Sequence, residues 1–276
     1  ILANAQAYDK AQRAYNVTHN INYIAGAQYV HNFDRLLFMP ADLTVGAEYS
    51  FDRIKDRSLG YNSLLEQRVR ISSAFVQNEW KNAHWGLLLG GRLDKHNLIS
   101  HLIFSPRVNL RYNPTENINL RASYSSGFRA PQAFDEDLHV GFAGGERIVT
   151  RLASGLKEER SHSFSLSADL YQTIGSVQTN FLIEGFYTHL TDVFALRQLN
   201  TKDSEGNRVQ ERYNGSGAKV LGLNLEGKAA FTSWFQLQAG LTLQRSLYDE
   251  PLEWDEKAPK VKKMMRTPSV YGYFTA

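Results

Sequence analysis

The strongest constraint in this chain is a period-two alternation of apolar and polar residues that recurs in stretch after stretch. It is clearest between Phe104 and Pro131. In the first arm Val108, Leu110 and Tyr112 alternate with Arg107, Asn109 and Arg111. In the second, Ile118, Leu120, Ala122 and Tyr124 alternate with Asn119, Arg121, Ser123 and Ser125. Successive side chains of a strand point to opposite faces, so each arm has one apolar and one polar face. The cluster Asn113-Pro114-Thr115-Glu116-Asn117 between them has turn chemistry, and the pair reads as an antiparallel hairpin. The same alternation returns over Leu43–Phe51, Trp85–Leu93, Phe164–Leu170, Leu221–Leu225 and Phe235–Leu243.

Two architectures fit one such hairpin. In a soluble sandwich the apolar face is a core and the polar face meets bulk water. In a transmembrane barrel the apolar face meets lipid and the polar face lines a wet lumen. The connections separate the two. Short ones (32–41, 81–84, 113–117, 172–176, 232–233) alternate with long ones (52–67, 95–102, 127–160, 191–217, 249–266). In an up-and-down meander that alternation puts tight turns at one end and long loops at the other, as in transmembrane barrels. Strands of roughly 9 to 13 residues also exceed the usual length in sandwiches. The expected lumen face carries both charge signs, at Glu48, Arg92, Asp94, Arg107, Arg111, Arg121, Glu184, Glu226 and Lys228. Aromatics near strand ends (Tyr112, Tyr124, Phe128, Tyr171, Phe231, Trp234, Tyr248) suit interfacial girdles. The expectation is an all-β, antiparallel, up-and-down transmembrane β-barrel, present as a partial barrel of about eleven strands with the last one interrupted. The first 20 residues are ambiguous between loop and strand, and a small hairpin is expected from Phe194–Leu199 and Arg208–Tyr213.

Composition closes off other classes. The 276 residues include no Cys, which removes disulfides, thiolate metal sites and Cys nucleophiles. A net charge of +3 gives no case for nucleic acid. Mean hydropathy of −0.40 excludes a helical membrane protein, and a barrel strand needs only alternate residues apolar. The chain opens at Ile1 without the basic stretch and apolar core of a secretion signal, so a mature form or an internal piece is expected. The segment Gly222–Lys228 imitates a phosphate-binding loop, but Ala229 stands where that loop needs Ser or Thr. Asp94, His96 and His101 could approach a metal at a loop mouth, although a solvated loop is the plainer reading. There is no HExxH and no GxSxG, and no enzyme activity is expected.

The phrases Ser105-Pro106-Arg107 and Gly127-Phe128-Arg129-Ala130-Pro131, in this order and followed by an acidic loop, resemble the barrel domain of TonB-dependent outer-membrane receptors. The resemblance runs from about Asn20 to Ala276 and contains no catalytic motif. It implies the outer membrane of a Gram-negative bacterium, contact with outer-membrane lipid, and uptake energised by the TonB complex acting through a plug. It also implies that residues 1–276 are part of a larger barrel whose plug and last strands lie elsewhere. The cargo it suggests is a small-molecule metal chelate, first a ferric siderophore, then cobalamin. Haem is less favoured, because the region from Gly141 to Lys157 lacks the His and Asn-Pro-Asn-Leu pattern of haem-uptake relatives. No cofactor is expected. Candidate ligand contacts on the longest external loop are Phe128, Arg129, Phe134, His139, Phe142, Arg147 and Arg151, with Tyr213 and Trp254 on other external loops. Guanidinium groups suit anionic chelates and aromatic rings suit planar ones. A passive porin or adhesin barrel and an outer-membrane enzyme are the alternatives.

Overall fold

The computed structural model describes residues 16–58, 63–131, 148–202, 208–252, 259–265 and 267–276. All its regular structure is strand. The strands are β1 (Asn16–Leu36), β2 (Met39–Ser58), β3 (Ser63–Lys81), β4 (Trp85–His96), β5 (Ile103–Thr115), β6 (Ile118–Arg129), β7 (Ile148–Leu152) and β8 (Glu159–Ile174). They continue with β9 (Val177–Thr191), β10 (Phe194–Lys202), β11 (Arg208–Asn214), β12 (Ala218–Ala230), β13 (Gln236–Leu252), β14 (Val261–Lys263) and β15 (Val270–Thr275). The main sheet runs β1-β2-β3-β4-β5-β6-β8-β9-β12-β13-β14, and β15 also pairs with β13. Since β14 and β15 take different stretches of one edge of β13, they act as one edge strand in two pieces, and β14 and the last residues of β13 lie in the 249–266 stretch expected from sequence to be a long connection. A separate three-stranded sheet, β10-β11-β7, holds the expected small hairpin. No helix among the described residues is long and apolar enough to cross a membrane, and crossing by strands is a different matter.

Register turns the alternation of single strands into continuous rows. One row runs Leu87–Leu110–Ala122–Leu166–Gly185–Leu223–Leu243–Val270, each residue directly opposite the next. The row beside it runs Arg111–Arg121–Ser167–Glu184–Asn224–Thr242–Tyr271. A slip of one residue in any strand would exchange the two faces. The charged residues assigned to the lumen all fall on the polar face. Three of them are bonded across β2, β3 and β4. Arg92 donates to Glu48 Oε1 (2.7 Å), Asp94 Oδ1 (2.8 Å) and Ser73 Oγ (2.7 Å), and Ser73 donates to Asp94 (2.6 Å). The opposed pair Arg111 and Arg121 is relieved sideways. Arg111 donates to the turn carbonyls of Asn82 and Trp85, and Arg121 lies 3.6 Å from Asp169.

Among the described residues the apolar face covers nothing. Leu166 is 67% exposed, and Phe164, Leu170, Phe181, Ile183, Leu221, Leu241 and Leu243 are exposed beside it. Leaving a Leu side chain in water forfeits about 1.5–3 kcal/mol. A face of this size is stable only against another apolar phase, and a soluble sandwich, whose core these residues would have to form, is excluded. At the short-turn end the face closes with stacked rings, Phe38 on Trp80 (5.5 Å) and Trp85 on Tyr112 (4.2 Å). The Trp80 indole donates to Leu36 O at 2.9 Å.

The structure departs from the expected strand limits at both ends. The first turn is only Leu37-Phe38, with Leu37 at φ 63°, in place of the broader 32–41 connection. Residues 52–58 and 63–67, expected as loop, continue β2 and β3 as paired strands up to Ser58 opposite Ser63. Their charges form cross-strand bonds, such as Thr18 to Asp56 (2.6 Å) and Arg53 to Glu66 (3.0 Å), and strands with such bonds need no apolar face. β1, β2 and β3 therefore reach 21, 20 and 19 residues.

Glycines on the polar face make room for neighbouring rings. Gly222 pairs with Phe186, Gly46 with Phe75 and Gly240 with Tyr273. A Cβ on Gly222 would stand 2.5 Å from both the Phe186 ring and Leu243 O, whereas a Cβ on Gly185 would meet nothing within 4 Å. Gly222→Ala is expected to destabilise the membrane-inserted protein by about 1–3 kcal/mol. Gly185→Ala should be neutral or stabilising by up to about 1 kcal/mol. Equilibrium unfolding in urea in the presence of lipid checks both.

Candidate functional site

The long connections all leave the sheet at one rim, and the polar face there is where side chains from several of them converge. β6 ends and β8 begins with Arg129 opposite Glu159 and Phe128 opposite Arg160. Arg129 donates to Glu159 Oε2 at 3.1 Å, and the same oxygen accepts the backbone N–H of Phe194 at 3.0 Å. Glu159 thus ties the first residue of β10 to the barrel wall. The ring of Phe194 lies under two cations, with the Arg129 guanidinium 5.0 Å and the Arg212 guanidinium 5.9 Å from its centroid. Arg212, on β11, is 4% exposed. The Arg129 side chain keeps 51% of its surface open. An aromatic ring with a guanidinium in reach of solvent is an arrangement that can take up an anionic or planar ligand.

The small sheet is fastened over this rim by backbone and amide bonds. Asn214 Nδ2 donates to Lys157 O (3.1 Å) and Asp192 O (2.8 Å), and its Oδ1 accepts Lys157 N–H (2.8 Å). β7 adds to β11 in parallel, with Arg151 opposite Glu211. Glu211 also takes an ion pair from Arg197, whose guanidinium lies 4.7 Å from the Tyr213 ring. Arg151 and Tyr213 therefore share one face of this sheet with Arg197 and Glu211, while Arg129 belongs to the wall. Phe128 packs against Ile99, Ile103 and Ala130 in a small apolar cluster under the β4–β5 connection. Phe134, His139, Phe142, Arg147 and Trp254 lie outside the described residues.

Sequence reasoning missed Phe194, Arg212 and Glu159. Their roles arise from the docking of β10 and β11 on the wall and from the parallel pairing of β7, about which local pattern says nothing. The three residues weighed for a metal go to separate partners. Asp94 joins Arg92 and Ser73, buried His96 accepts the Leu98 N–H at its Nδ1 (3.0 Å), and His101 bonds Glu158 (2.9 Å). Among the described residues no three His, Asp or Glu side chains gather as a metal site.

His101, Glu158 and Arg160 form a second joint, between the β4–β5 connection and the start of β8. Glu158 Oε1 accepts from His101 at 2.9 Å and from Arg160 Nε at 3.0 Å. Burial pushes the Glu158 carboxyl up, but bonds from His101, its own backbone and Arg160 outweigh burial and hold it below the ordinary value of 4.5.

The one-sided apolar surface, the polar opposite face and the asymmetric ends define the wall of a β-barrel of transmembrane type. Residues 2–273 match the family model described as "TonB dependent receptor-like, beta-barrel", and the chain belongs to that family. Among solved structures it is similar to the siderophore receptor PirA from Pseudomonas aeruginosa, with 19% identity and a TM-score of 0.68 over 86% of this chain and 44% of that one. It is also similar to the outer membrane transporter YddB from Escherichia coli (14%, TM-score 0.66, 84% and 34%). The FrpB iron transporter from Neisseria meningitidis is a third (18%, TM-score 0.58, 83% and 36%). The chain thus spans less than half the length of each. No match was found among curated proteins. The family is one of receptors and transporters rather than enzymes.

A depressed carboxyl contributes stability that is present at and above its unfolded value and is lost as pH falls through the folded one. Local opening at residues 97–102, read as hydrogen exchange divided by the intrinsic amide rate at each pH, is therefore expected to be constant from neutral pH to about 5 and to rise as pH drops below 4.5. Glu158→Gln should abolish that acid-dependent rise.

Proposed function

We propose that this chain is part of the barrel wall and outer rim of an outer-membrane receptor that imports a ferric siderophore by TonB-energised transport. The observation that carries the cargo is the pair of guanidinium groups on the Phe194 ring at the long-loop rim. Ferric chelates built on catecholates or carboxylates are anionic, and catecholate rings are planar. A guanidinium over an aromatic ring meets both properties. Family membership supplies the mode of transport: cargo enters from the long-loop side, and force arrives from TonB through a plug. The similar structures include a receptor described as bound to enterobactin, at 18% identity. The polar face, rich in Ser and in paired charges, would line the route as a wet, nearly neutral wall. Lipid would cover the other face, in the outer membrane of a Gram-negative cell.

The test is iron uptake by cells lacking the complete gene, supplied in turn with ferric enterobactin, a ferric carboxylate siderophore and ferric hydroxamates, with cobalamin-dependent growth scored in parallel. Loss of uptake of one ferric chelate is the expected result. Unimpaired growth on all of them, or a defect confined to cobalamin, would overturn the cargo. Arg129→Ala in the complete receptor should weaken chelate binding by about 1.5–3 kcal/mol, the worth of a hydrogen bond to a charged group. Equilibrium binding of the labelled chelate to whole cells reads this out.

A further inference from the structure

The sequence Asp52-Arg53-Ile54-Lys55-Asp56-Arg57 is strand, and its charges alternate in sign with the strand period. Asp52 and Asp56 lie on the polar face, where they accept from Asn22 and Thr18. Arg53, Lys55 and Arg57 lie on the other face, in line with Val45, Ala47, Tyr49 and Phe51. β3 adds Arg68, directly opposite Arg53, and Arg70, directly opposite Phe51. Five cations therefore crowd the outward face at the level where its apolar band ends and roughly 6–7 Å per two residues beyond it.

Like charges directly across a ladder are destabilising. Here Arg53 faces Arg68, and one carboxylate, Glu66, serves both, at 2.8 Å and 2.6 Å. The side chains of Lys55, Arg57 and Arg70 make no ion pair among the described residues. The patch is not an isolated accident of one hairpin. Further round the same rim a cross-strand row on the same face runs His162–His189–Lys219, with Arg245 and Lys263 close by. Asp249 is the carboxylate in contact there. At the short-turn end the same face carries Trp80, Trp85 and Tyr112 instead. Cations are thus concentrated where only one of the two leaflets has its headgroups.

We propose that Arg53, Lys55, Arg57, Arg68 and Arg70 form a binding site for the phosphate groups of a lipid headgroup in the leaflet on the long-loop side. The occupant follows from position and charge together. The patch is continuous with a surface that can only face lipid, so what meets it is the polar end of a molecule whose chains lie on that surface. Five cations against one carboxylate require an anion with more than one charge, and forked guanidinium groups match phosphate oxygens. The site is on the face opposite to the cargo rim. It rests on membrane insertion of the barrel but not on the identity of the cargo.

The complete receptor is reconstituted in phosphatidylcholine nanodiscs doped with a bisphosphorylated glycolipid, and bound glycolipid is counted by native mass spectrometry. Each cation near a charged membrane surface is worth about fivefold in affinity, so Arg53→Gln/Arg68→Gln/Arg70→Gln should lose on the order of a hundredfold. Arg107→Gln, on the polar face, should lose nothing. Insertion is scored separately by heat-modifiable gel mobility. Should the triple variant fail to insert, Arg70→Gln alone decides, with about a fivefold loss expected. Retention of glycolipid by the inserted variants, or equal loss in Arg107→Gln, overturns the site. Displacement of the glycolipid by equimolar inorganic phosphate would reduce it to an unspecific anion patch and overturn the lipid assignment as well.

Discussion

Every feature of this protein depends on the pairing of backbone N–H and C=O groups between neighbouring strands. In an apolar phase those groups have no water to turn to, and an unpaired one costs several kcal/mol. A chain that must expose apolar side chains to lipid therefore has to satisfy its whole backbone in the ladder. The continuous pairing order from β1 to β13 does this for every strand inside the sheet, while the edge strands β1, β14 and β15 are paired on one side only among the described residues. Once register is set, the faces follow, because each side chain can only point to one side. The Arg92–Glu48–Asp94 network and the row from Leu87 to Val270 are two consequences of one geometric condition.

The polar face shows how a wall of this kind stays neutral without a core. Cations are matched to nearby carboxylates, across neighbouring strands as with Arg121 and Asp169 at 3.6 Å or along one strand as with Lys228 and Glu226 at 2.8 Å, or sent to turn carbonyls, as with Arg111. Exposed pairs of this sort are individually worth little. Their value here is that no large single-sign field builds up along the face. The long-loop rim is different on both sides of the wall. Inside, guanidinium groups are held on Phe194; outside, cations outnumber carboxylates. The rim therefore concentrates the unusual charge and aromatic arrangements of this wall, and the span beneath it is comparatively plain.

The small sheet at the rim adds a second level of organisation. Its hairpin is local, but its attachment is not. Asn214 binds one residue in each of two different connections, Lys157 before β8 and Asp192 before β10, and Glu159 holds Phe194 against Arg129. A loop built in this way is positioned by the barrel, so a ring and two guanidinium groups come from three strands, β6, β10 and β11, to one place.

The amino-acid order by itself determined the alternating faces, the asymmetry of short and long connections, the hairpin at Phe194–Tyr213 and the family. These are properties of near neighbours in the chain, and a two-residue period is visible wherever one face is apolar. It misled where both faces are polar. The stretch 52–67 looks like loop because charge is usually a sign of solvent, yet residues 52–58 and 63–67 pair as strand through cross-strand bonds. What only the tertiary structure decided were the contacts between segments far apart in the chain: β7 against β11, Arg212 and Arg129 over one ring, Arg53 opposite Arg68. Such contacts depend on register and docking, to which many sequences are equivalent. The choice among them is made by the free energy of the assembled wall rather than by any local pattern.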